Sequence, residues 1–459
     1  MKIAHNISGF TPTLISLILM VLVMGTYLLS AWLSLSLLAV FFGIMLLVFT
    51  IYDFSIIFLL LLVLRSSLDV FTNTGLIFAN FNFNVPAVLS IYIVAGGCIY
   101  LLNNKYSVFP LISIYYGLWL LILVPFVGLN LYNFDLNGAI AVRELTRLLT
   151  ILMVFLVTYN MVNTDNINKF LSAIMLSLIV PLGVGYFQLS TKTGMVINGI
   201  HRIYGTIVHP NSYALFIVLF LGLTYWKWRK NYGKIWGLLL LLELGALFST
   251  VSFNGMIMFF LLLSIILWQE NFYYKISLVL VILIFILLLS QNKQVQQRFE
   301  EIEGTNFKHN IQHLELGDSI SWRLGTWWQL IKLWREEPFI GYGLQATNII
   351  NPIIMPNGEP AEAHNDYLKY LLETGIVGFS LYVLFNILVA ATIFWEYRMA
   401  RNSQLERLLF ILFAVFISWQ IGSLSSNFLR ATAFQFYFWA TLGVALKCRR
   451  LEKVHQLPL

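Results

Sequence analysis

The fold class of this protein is decided by residues 11–52, which read TPTLISLILMVLVMGTYLLSAWLSLSLLAVFFGIMLLVFTIY and contain no charged side chain. A helix needs about 20 apolar residues to cross the hydrocarbon core of a bilayer. The stretch is long enough for two such helices, which excludes a soluble fold. No small-residue cleavage site is obvious near its first segment and further apolar spans follow, so we expect a retained helix rather than a signal peptide.

The composition of the whole chain agrees with a membrane protein. Of 459 residues, 59% are hydrophobic and 11% are charged, whereas about 25% are charged in soluble domains. The net charge of +7 comes from basic residues that lie between apolar spans, a pattern that argues against a nucleic-acid partner and for contact with membrane lipids. The two cysteines, Cys98 and Cys448, support neither a disulfide framework nor a cysteine metal site.

Apolar runs alternate with polar breaks along the chain and predict an all-α polytopic protein with about 12–14 membrane helices. The third run is short and the break at 249–255 is tight, so the smaller counts stay open. The predicted spans are 11–29, 33–50, 54–66, 86–102, 109–129, 140–160, 168–188, 208–226, 235–250, 252–268, 274–290, 367–395, 406–424 and 428–446.

Basic clusters predict the orientation of these spans, because short loops rich in Lys and Arg stay in the cytoplasm. With fourteen spans, three such clusters fall on the side of the N-terminus, which predicts that both termini are cytoplasmic. The organisation expected is then residues 1–290 with eleven helices, a large periplasmic loop at 291–363, and residues 364–459 with the last three helices and a cytoplasmic tail. The clusters are Lys227, Arg229, Lys230 and Lys234; Arg398, Arg401 and Arg407; and Lys447, Arg449, Arg450 and Lys453.

The large loop contains an amphiphilic segment. Its apolar residues recur at spacings typical of a helix on a membrane surface, so we expect the loop to fold back on the membrane. These residues are Trp322, Trp327, Trp328, Leu330, Ile331 and Trp334.

On this topology several arginines converge at the outer membrane face. Arginine within or beside a membrane helix is costly and usually faces a cavity or a partner, although any one of them could be an interfacial anchor. Guanidinium groups bind phosphate bidentately and keep their charge, so this set of arginines suits the anionic head of a membrane-embedded lipid. Its members are Arg143, Arg147, Arg202, Arg323 and Arg430.

The densest polar segment at a predicted membrane boundary is Glu362-Ala-His364-Asn365-Asp366-Tyr367. A histidine can act as general base on a sugar hydroxyl, since its ordinary pKa of about 6.5 leaves much of it neutral near pH 7. The alternative is a helix start that Asn365 or Asp366 caps. A metal site is less favoured because no second histidine pair supports it. The stretch His209-Pro210-Asn211 is by itself typical of a helix start.

Three ordered motifs resemble the O-antigen ligase and polymerase superfamily. They are Arg202-Ile-Tyr-Gly205-Thr-Ile-Val-His209-Pro210-Asn211; Ser321-Trp-Arg323-Leu-Gly-Thr-Trp327 with Pro338-Phe-Ile-Gly341-Tyr-Gly343; and His364-Asn365 followed after nine residues by Gly375-Ile-Val-Gly378. The matching elements run from about Arg143 to Gly378. The remaining helices agree with the family only in number and hydropathy.

The resemblance implies en bloc transfer of a glycan from undecaprenyl pyrophosphate to an acceptor hydroxyl at the periplasmic face of the inner membrane, with no cofactor and no metal. It implies that Arg202 and Arg323 bind the pyrophosphate of the donor and that His364 activates or orients the acceptor. Asn211 and Asn365 are candidate substrate-binding residues by their place in the motifs. A chain-length regulator or a flippase of the same pathway is a candidate partner.

The sequence departs from the family at one point. Many members carry Ser-Arg after the ninth span, whereas this chain reads Ser252-Phe253-Asn254-Gly255. Arg143 or Arg430 could take the role of that arginine, and both are therefore candidate substrate-binding residues.

Three functions compete at this point. A polymerase uses a second lipid-linked glycan as acceptor and a ligase uses the lipid A core. Residues 291–363 carry six basic and nine acidic side chains, which slightly favours the polymerase because a phosphorylated core would prefer a basic surface. A transporter of a small solute such as inorganic carbon is the third alternative, and Glu243 inside the ninth span is the main residue in its favour.

Overall fold

A computed structural model describes residues 54–454 except 74, 79–80, 136–138, 198, 232, 356–357 and most of 274–318. The predicted spans 11–29 and 33–50, most of 274–290 and the loop from 291 to 318 therefore lie outside the described residues. The protein is an all-α polytopic membrane protein, as the hydropathy pattern predicts. In the described ranges, six segments are long and apolar enough to cross a membrane.

Helices occupy most of the described chain, and the two short sheets are antiparallel hairpins, β1–β2 and β3–β4. In chain order the elements are α1 (Phe54–Leu68), β1 (Gly75–Phe78), β2 (Phe81–Asn84), α2 (Val85–Asn103), α3 (Leu111–Phe134), α4 (Ala139–Met161), α5 (Ile167–Leu176), α6 (Ile179–Thr191), β3 (Met195–Ile197), β4 (Ile200–Arg202), α7 (Pro210–Asn231), α8 (Lys234–Ser249), α9 (Phe253–Gln269), α10 (Ser319–Trp334), α11 (Thr347–Ile350), α12 (Asp366–Met399), α13 (Ser403–Gly422) and α14 (Thr432–Val454). Short 3₁₀ turns cover Asp69–Asn73 and Phe428–Arg430.

The predicted span 168–188 is divided into α5 and α6, and Pro181 gives the physical reason. Proline has no amide hydrogen, so the carbonyl of Ser177 four residues earlier loses its helical donor. The hydroxyl of Ser66 on α1 donates to that carbonyl at 2.7 Å. The freed backbone group thus finds a partner inside the protein, as the low polarity of a membrane interior requires.

Helix α14 forms the centre of the bundle, with side chains buried from Ala433 to Leu446. Its aromatic rings pack on neighbouring helices: Trp439 lies edge-on to Tyr116 of α3 and Phe155 of α4, with ring centroids 5.1 and 5.8 Å apart. Just before α14, Leu429 contacts Arg147 of α4 and Asp366 at the start of α12, and the polar residues gather there.

The three basic clusters lie together at one end of the bundle. The indole of Trp226 on α7 donates to the carbonyl of Gln404 on α13 at 2.9 Å. Glu452 on α14 accepts from the amide of Arg401 at 3.0 Å. We call this region, residues 225–234, 396–407 and 447–453 with Glu270, the basic end. That it faces the cytoplasm stays a prediction.

Helix α12 is broken at Gly375, whose backbone angles of φ 60° and ψ −170° only glycine adopts easily. The segment 338–343 supplies the partners that the break removes, so the membrane part of α12 keeps its backbone groups hydrogen-bonded. A Cβ atom on Gly375 would lie 2.2 Å from the carbonyl oxygen of Phe339. This contact explains why the residue at position 375 is glycine. The four bonds are Ile376 N–H to Pro338 O (2.9 Å), Val377 N–H to Phe339 O (3.3 Å), Tyr342 N–H to Leu372 O (3.2 Å) and Gly343 N–H to Glu373 O (2.8 Å).

Candidate functional site

Arg202 is held rigidly at the end of β4. Its Nε donates to the carbonyl of Thr250 at 2.8 Å and its Nη2 donates to the amide oxygen of Asn211 at 2.9 Å. The hydroxyl of Ser252 also donates to that Asn211 oxygen, at 2.8 Å. Between Thr250 and Ser252, Val251 adopts φ 47°, which is unusual for a β-branched residue and marks a backbone held in place by its surroundings. The guanidinium group of Arg202 is therefore buried and fixed in direction.

The motif that follows Arg202 is clamped by one side chain of α6. Gln188 donates to the carbonyl of Gly205 and accepts from the amides of Tyr204 and Gly205, at 2.9–3.0 Å. Gly205 has φ +57°, and a Cβ there would lie 2.6 Å from the carbonyl oxygen of Pro181. The glycine of the Arg202 motif is thus required for close packing against α6, and the clamp sets the position of Arg202.

His209 lies beside Arg202; the sequence placed it in the Arg202 motif but gave it no role in the site, because by itself the stretch is typical of a helix start. Its Nδ1 accepts from the amide of Asn211 at 3.1 Å. Burial lowers the pKa of His209 to about 4, the positive charges of Arg202 and Arg323 act in the same direction, and Glu362 opposes them. The ring is therefore neutral near pH 7 and lies near Arg202 of its own motif and near Arg323 and Glu362, which are distant in sequence.

His364 occupies the turn before α12 with φ 46°, in the left-handed region. Its ring packs edge-on against Trp322 of α10, with centroids 4.9 Å apart. Burial lowers its pKa, and Arg323 lowers it further, while Glu362 raises it. No described residue accepts from or donates to its Nδ1, so this buried nitrogen is available for a ligand.

Arg323 reaches the site because α10 packs on α12. The indole of Trp327 donates to the carbonyl of Ala363 at 2.7 Å, and Leu330 is buried with Leu368 and Leu372 of α12. Helix α10 contains all six apolar residues that were expected to fold the loop back on the membrane. The packing brings Arg323 towards both histidines, and its positive charge lowers the pKa of His209 and of His364.

Arg430 forms an ion pair with Glu362, and both side chains are about 40% exposed. The side-chain amide nitrogen of Asn427 donates to the second carboxylate oxygen of Glu362 at 2.7 Å. Burial alone would raise the pKa of the Glu362 carboxyl, but the nearby cations, Arg430 first, hold it below its ordinary value. Glu362 is thus a fixed negative charge beside the histidines, and neither the sequence spacing of Glu362 nor that of Asn427 indicates this long-range pairing.

Helix α4 contributes Arg147 to the surroundings of the site. Its guanidinium group forms an ion pair with Glu144 on the same helix and donates to the carbonyl of Leu429. Arg143, by contrast, is exposed on the surface of α4. The structure therefore brings Arg147 to the start of α14 and does not bring Arg143 into the group.

Asn365 and Asp366 fix the start of α12. The side chain of Asn365 accepts from the amide of Leu368 at 3.0 Å, which makes it the helix cap. Asp366 accepts from the amide of Leu429 at 3.0 Å through its carboxylate. These contacts hold His364 between α10 and the loop before α14. In the described part of the chain, no three His, Cys, Asp or Glu side chains are arranged to hold a metal.

Two further charged residues lie below the site on α12. Lys369 and Glu373 are buried and their charged atoms are 4.0 Å apart. With Asp366 they are spaced three and four residues apart, on one face of the helix. That spacing within an apolar span is a signal that sequence analysis could have used, but it did not single out these residues.

The departure Ser252-Phe253-Asn254-Gly255 has a structural role. Ser252 accepts from the amide of Gly255 at 3.1 Å and so caps α9. Asn254 donates to the carbonyl of Gly422 at 2.8 Å and to the hydroxyl of Ser426 at 2.9 Å. The segment therefore ties α9 to α7 and α13 and supplies no cation.

Glu243 lies apart from these residues. It is fully buried on α8 and accepts from the hydroxyl of Thr224 on α7 at 2.6 Å. This contact stabilises the packing of α7 against α8.

The structure thus gathers Arg202, His209, Arg323, Glu362 and His364, with Arg430, from four separated segments at the end of the bundle opposite the basic end; we call this the site end. Residues 236–383 match the family model described as O-Antigen ligase. The match covers about a third of the chain and includes Arg323, His364 and Asn365 but not Arg202 or Asn211. It supports the superfamily that the motifs indicate. No curated protein matches the chain significantly.

Proposed function

We propose that this chain, a member of the O-antigen ligase and polymerase superfamily, transfers a glycan en bloc from undecaprenyl pyrophosphate to an acceptor hydroxyl at the periplasmic face of the inner membrane. The observation that carries the proposal is the convergence of Arg202, Arg323 and His364, which lie on β4, on α10 and before α12. Residues so far apart in sequence meet at one end of an apolar bundle, where a lipid-linked substrate can reach them.

The arginines suit the leaving group. In the transfer, the bond from the anomeric carbon to the pyrophosphate oxygen breaks and a bond to the acceptor oxygen forms. Negative charge then develops on the pyrophosphate, and a fixed guanidinium group stabilises that charge without the cost of reorienting. Arg202 fits this role because Thr250 and Asn211 already hold it in place. Arg323 supplies a second positive charge, so the transfer needs no metal.

His364 suits the acceptor. A neutral imidazole accepts a hydrogen bond from a hydroxyl and takes its proton as the new bond forms. Burial and Arg323 hold the pKa of His364 below its ordinary value, which keeps the ring neutral and makes it a weak base. We therefore infer that proton transfer accompanies the loss of pyrophosphate rather than preceding it.

The acceptor we propose is a second lipid-linked glycan, which makes the protein an O-antigen polymerase. Support comes from the balance of six basic and nine acidic side chains in residues 291–363, which does not favour a phosphorylated lipid A core. A ligase with the lipid A core as acceptor is the second candidate. Membrane lipids surround the helices in either case, and a chain-length regulator or a flippase is a candidate partner.

The test is glycan transfer in proteoliposomes with an undecaprenyl-pyrophosphate oligosaccharide and no added metal. Longer lipid-linked glycans made by the wild type and lost in Arg202→Ala, Arg323→Ala and His364→Ala are the result expected for a polymerase. Arg398→Ala, which removes an exposed charge from the basic end, is the matched control and should transfer normally. Transfer only with added lipid A core would identify a ligase. Solute uptake without any transfer would overturn the enzyme assignment in favour of the transporter.

A further inference from the structure

His209 has its proton position fixed by the backbone. The amide of Asn211 donates to Nδ1 of His209 at 3.1 Å, and a ring nitrogen that accepts a hydrogen bond carries no proton. In a neutral imidazole the proton must then lie on the other nitrogen, Nε2. His209 therefore presents an N–H donor rather than a lone pair at Nε2.

The surroundings of His209 keep it in this neutral form. Arg202 and Arg323 oppose a positive charge on the ring, as burial does, and Glu362 is the acidic group that favours one. Burial lowers the pKa of His209 to about 4, so the ring is neutral near pH 7. His209 is thus a neutral donor in the field of two guanidinium groups, those of Arg202 and Arg323.

The ring is also held in place. Pro210 begins α7 directly after His209, and Asn211 is bound by Arg202 and Ser252 at 2.9 and 2.8 Å. The same Asn211 residue therefore orients both Arg202, through its side chain, and His209, through its amide. The hydrogen bond recorded for the ring is the one at Nδ1, so Nε2 is the nitrogen that can donate to a ligand.

We propose that His209 donates a hydrogen bond from Nε2 to a non-bridging oxygen of the donor pyrophosphate, beside Arg202. The inference rests on the proposed function and adds a residue to it. The two histidines then have different roles: His209 binds the leaving group as a donor, and His364 receives the proton of the acceptor hydroxyl. His209 cannot replace His364 as a base, because the lone pair of Nδ1 is occupied by the Asn211 amide.

Two amide substitutions separate binding of the substrate from capping of α7. The amide nitrogen of His209→Gln can occupy the place of Nε2, whereas the amide oxygen of His209→Asn can occupy the place of Nδ1 and keep the bond to Asn211. If His209 binds pyrophosphate, the Gln variant should transfer glycan within about threefold of the wild type. The Asn variant should lose about 10- to 100-fold in kcat/KM, the range for a hydrogen bond to a charged group.

The assay is the same proteoliposome transfer, with kcat and KM for the undecaprenyl-pyrophosphate oligosaccharide and thermal unfolding of each variant. An active Asn variant with an impaired Gln variant would show a helix cap and overturn the inference. Equal activity of both variants, or equal loss in both with normal unfolding, would overturn it as well. In each of these cases the wild type still transfers and the proposed function stands. A wild type that transfers nothing would overturn the proposed function, and this inference with it.

Discussion

The two ends of the bundle hold their arginines in different ways. At the basic end, carboxylates hold them: Arg229 pairs with Glu270 at 3.0 Å, and Arg449 pairs with Glu452 at 2.8 Å and with Glu396 at 3.3 Å. At the site end, Arg202 is held by a backbone carbonyl and an amide oxygen, at 2.8 and 2.9 Å. Neutral acceptors fix a guanidinium group without cancelling its charge.

The difference separates arginines that stabilise the fold from arginines that bind an anion. A buried charge is costly in low polarity unless something compensates it. At the basic end the compensating charge belongs to the protein. The printed contacts of Arg202 are to neutral groups that fix its direction, whereas Arg147 and Arg430, which pair with Glu144 and Glu362, resemble the basic end although they lie at the site end.

The largest effect is expected from Arg202. The substitution Arg202→Ala removes a fixed positive charge that we propose acts on the leaving pyrophosphate, and should lower kcat by about 10²- to 10³-fold. Arg202→Lys should recover little, because lysine cannot donate to Thr250 and Asn211 with the planar geometry of a guanidinium group. The measurement is single-turnover transfer at saturating donor.

A comparison with Arg430→Ala makes this prediction sharper. Since Arg430 is paired with Glu362, its removal should reduce transfer much less than the removal of Arg202. Equal losses in the two variants would contradict the distinction between arginines held by neutral groups and arginines held by carboxylates.

A smaller effect is expected in the pH dependence of kcat/KM, and the charges around His364 determine its direction. His364 must be neutral to accept a proton, so kcat/KM should fall at low pH as the ring becomes protonated. Burial and Arg323 lower its pKa and Glu362 raises it, while His209 and Arg430 are its other charged or titratable neighbours. The wild type should therefore stay active well below pH 6.5, the ordinary pKa of histidine.

Two substitutions should move this acid limit in opposite directions. Arg323→Gln removes a charge that lowers the pKa of His364, so the limit should move to higher pH. Glu362→Gln removes a charge that raises it, so the limit should move to lower pH. The comparison uses the position of the limit in the residual activity of each variant and not the size of the rate, which the loss of substrate binding also lowers. A limit that stays in place in both variants would mean that another group controls it.

Hydropathy alone predicts the fold class and the positions of most helices. Each predicted span from 54–66 to 252–268 and from 367–395 to 428–446 coincides with helical structure, because the length of an apolar run is set by the bilayer itself. The divisions within spans were not predicted. The break at Gly375 depends on the segment 338–343, which is distant in sequence.

The site was only partly predictable for the same reason. Arg202, Arg323 and His364 belong to motifs and the structure brings them together. Arg143 and Arg147 lie one helical turn apart on α4, and no pattern in the sequence indicates which of the two faces inward. His209 belongs to the Arg202 motif, but its position near Arg323 and Glu362, more than a hundred positions away, follows only from the fold. Glu362 and Asn427 are recognised from the hydrogen bond that joins them.

The smallest effect on transfer is expected from the basic end, where the charge is already paired. Arg229→Ala leaves Glu270 without its cation in a place where both side chains are 9% exposed, and losing one partner of a buried pair costs roughly 3 kcal/mol. Thermal unfolding should therefore occur at a lower temperature, while kcat/KM per folded molecule stays within about twofold of the wild type, because the substitution leaves the field at Arg202 and His364 unchanged across the bundle. Arg229→Ala combined with Glu270→Gln should regain part of the stability, since the unpaired carboxylate is then removed. A tenfold fall in transfer at normal stability would show that the two ends are coupled, and the separation between a structural end and a reactive end would have to be abandoned.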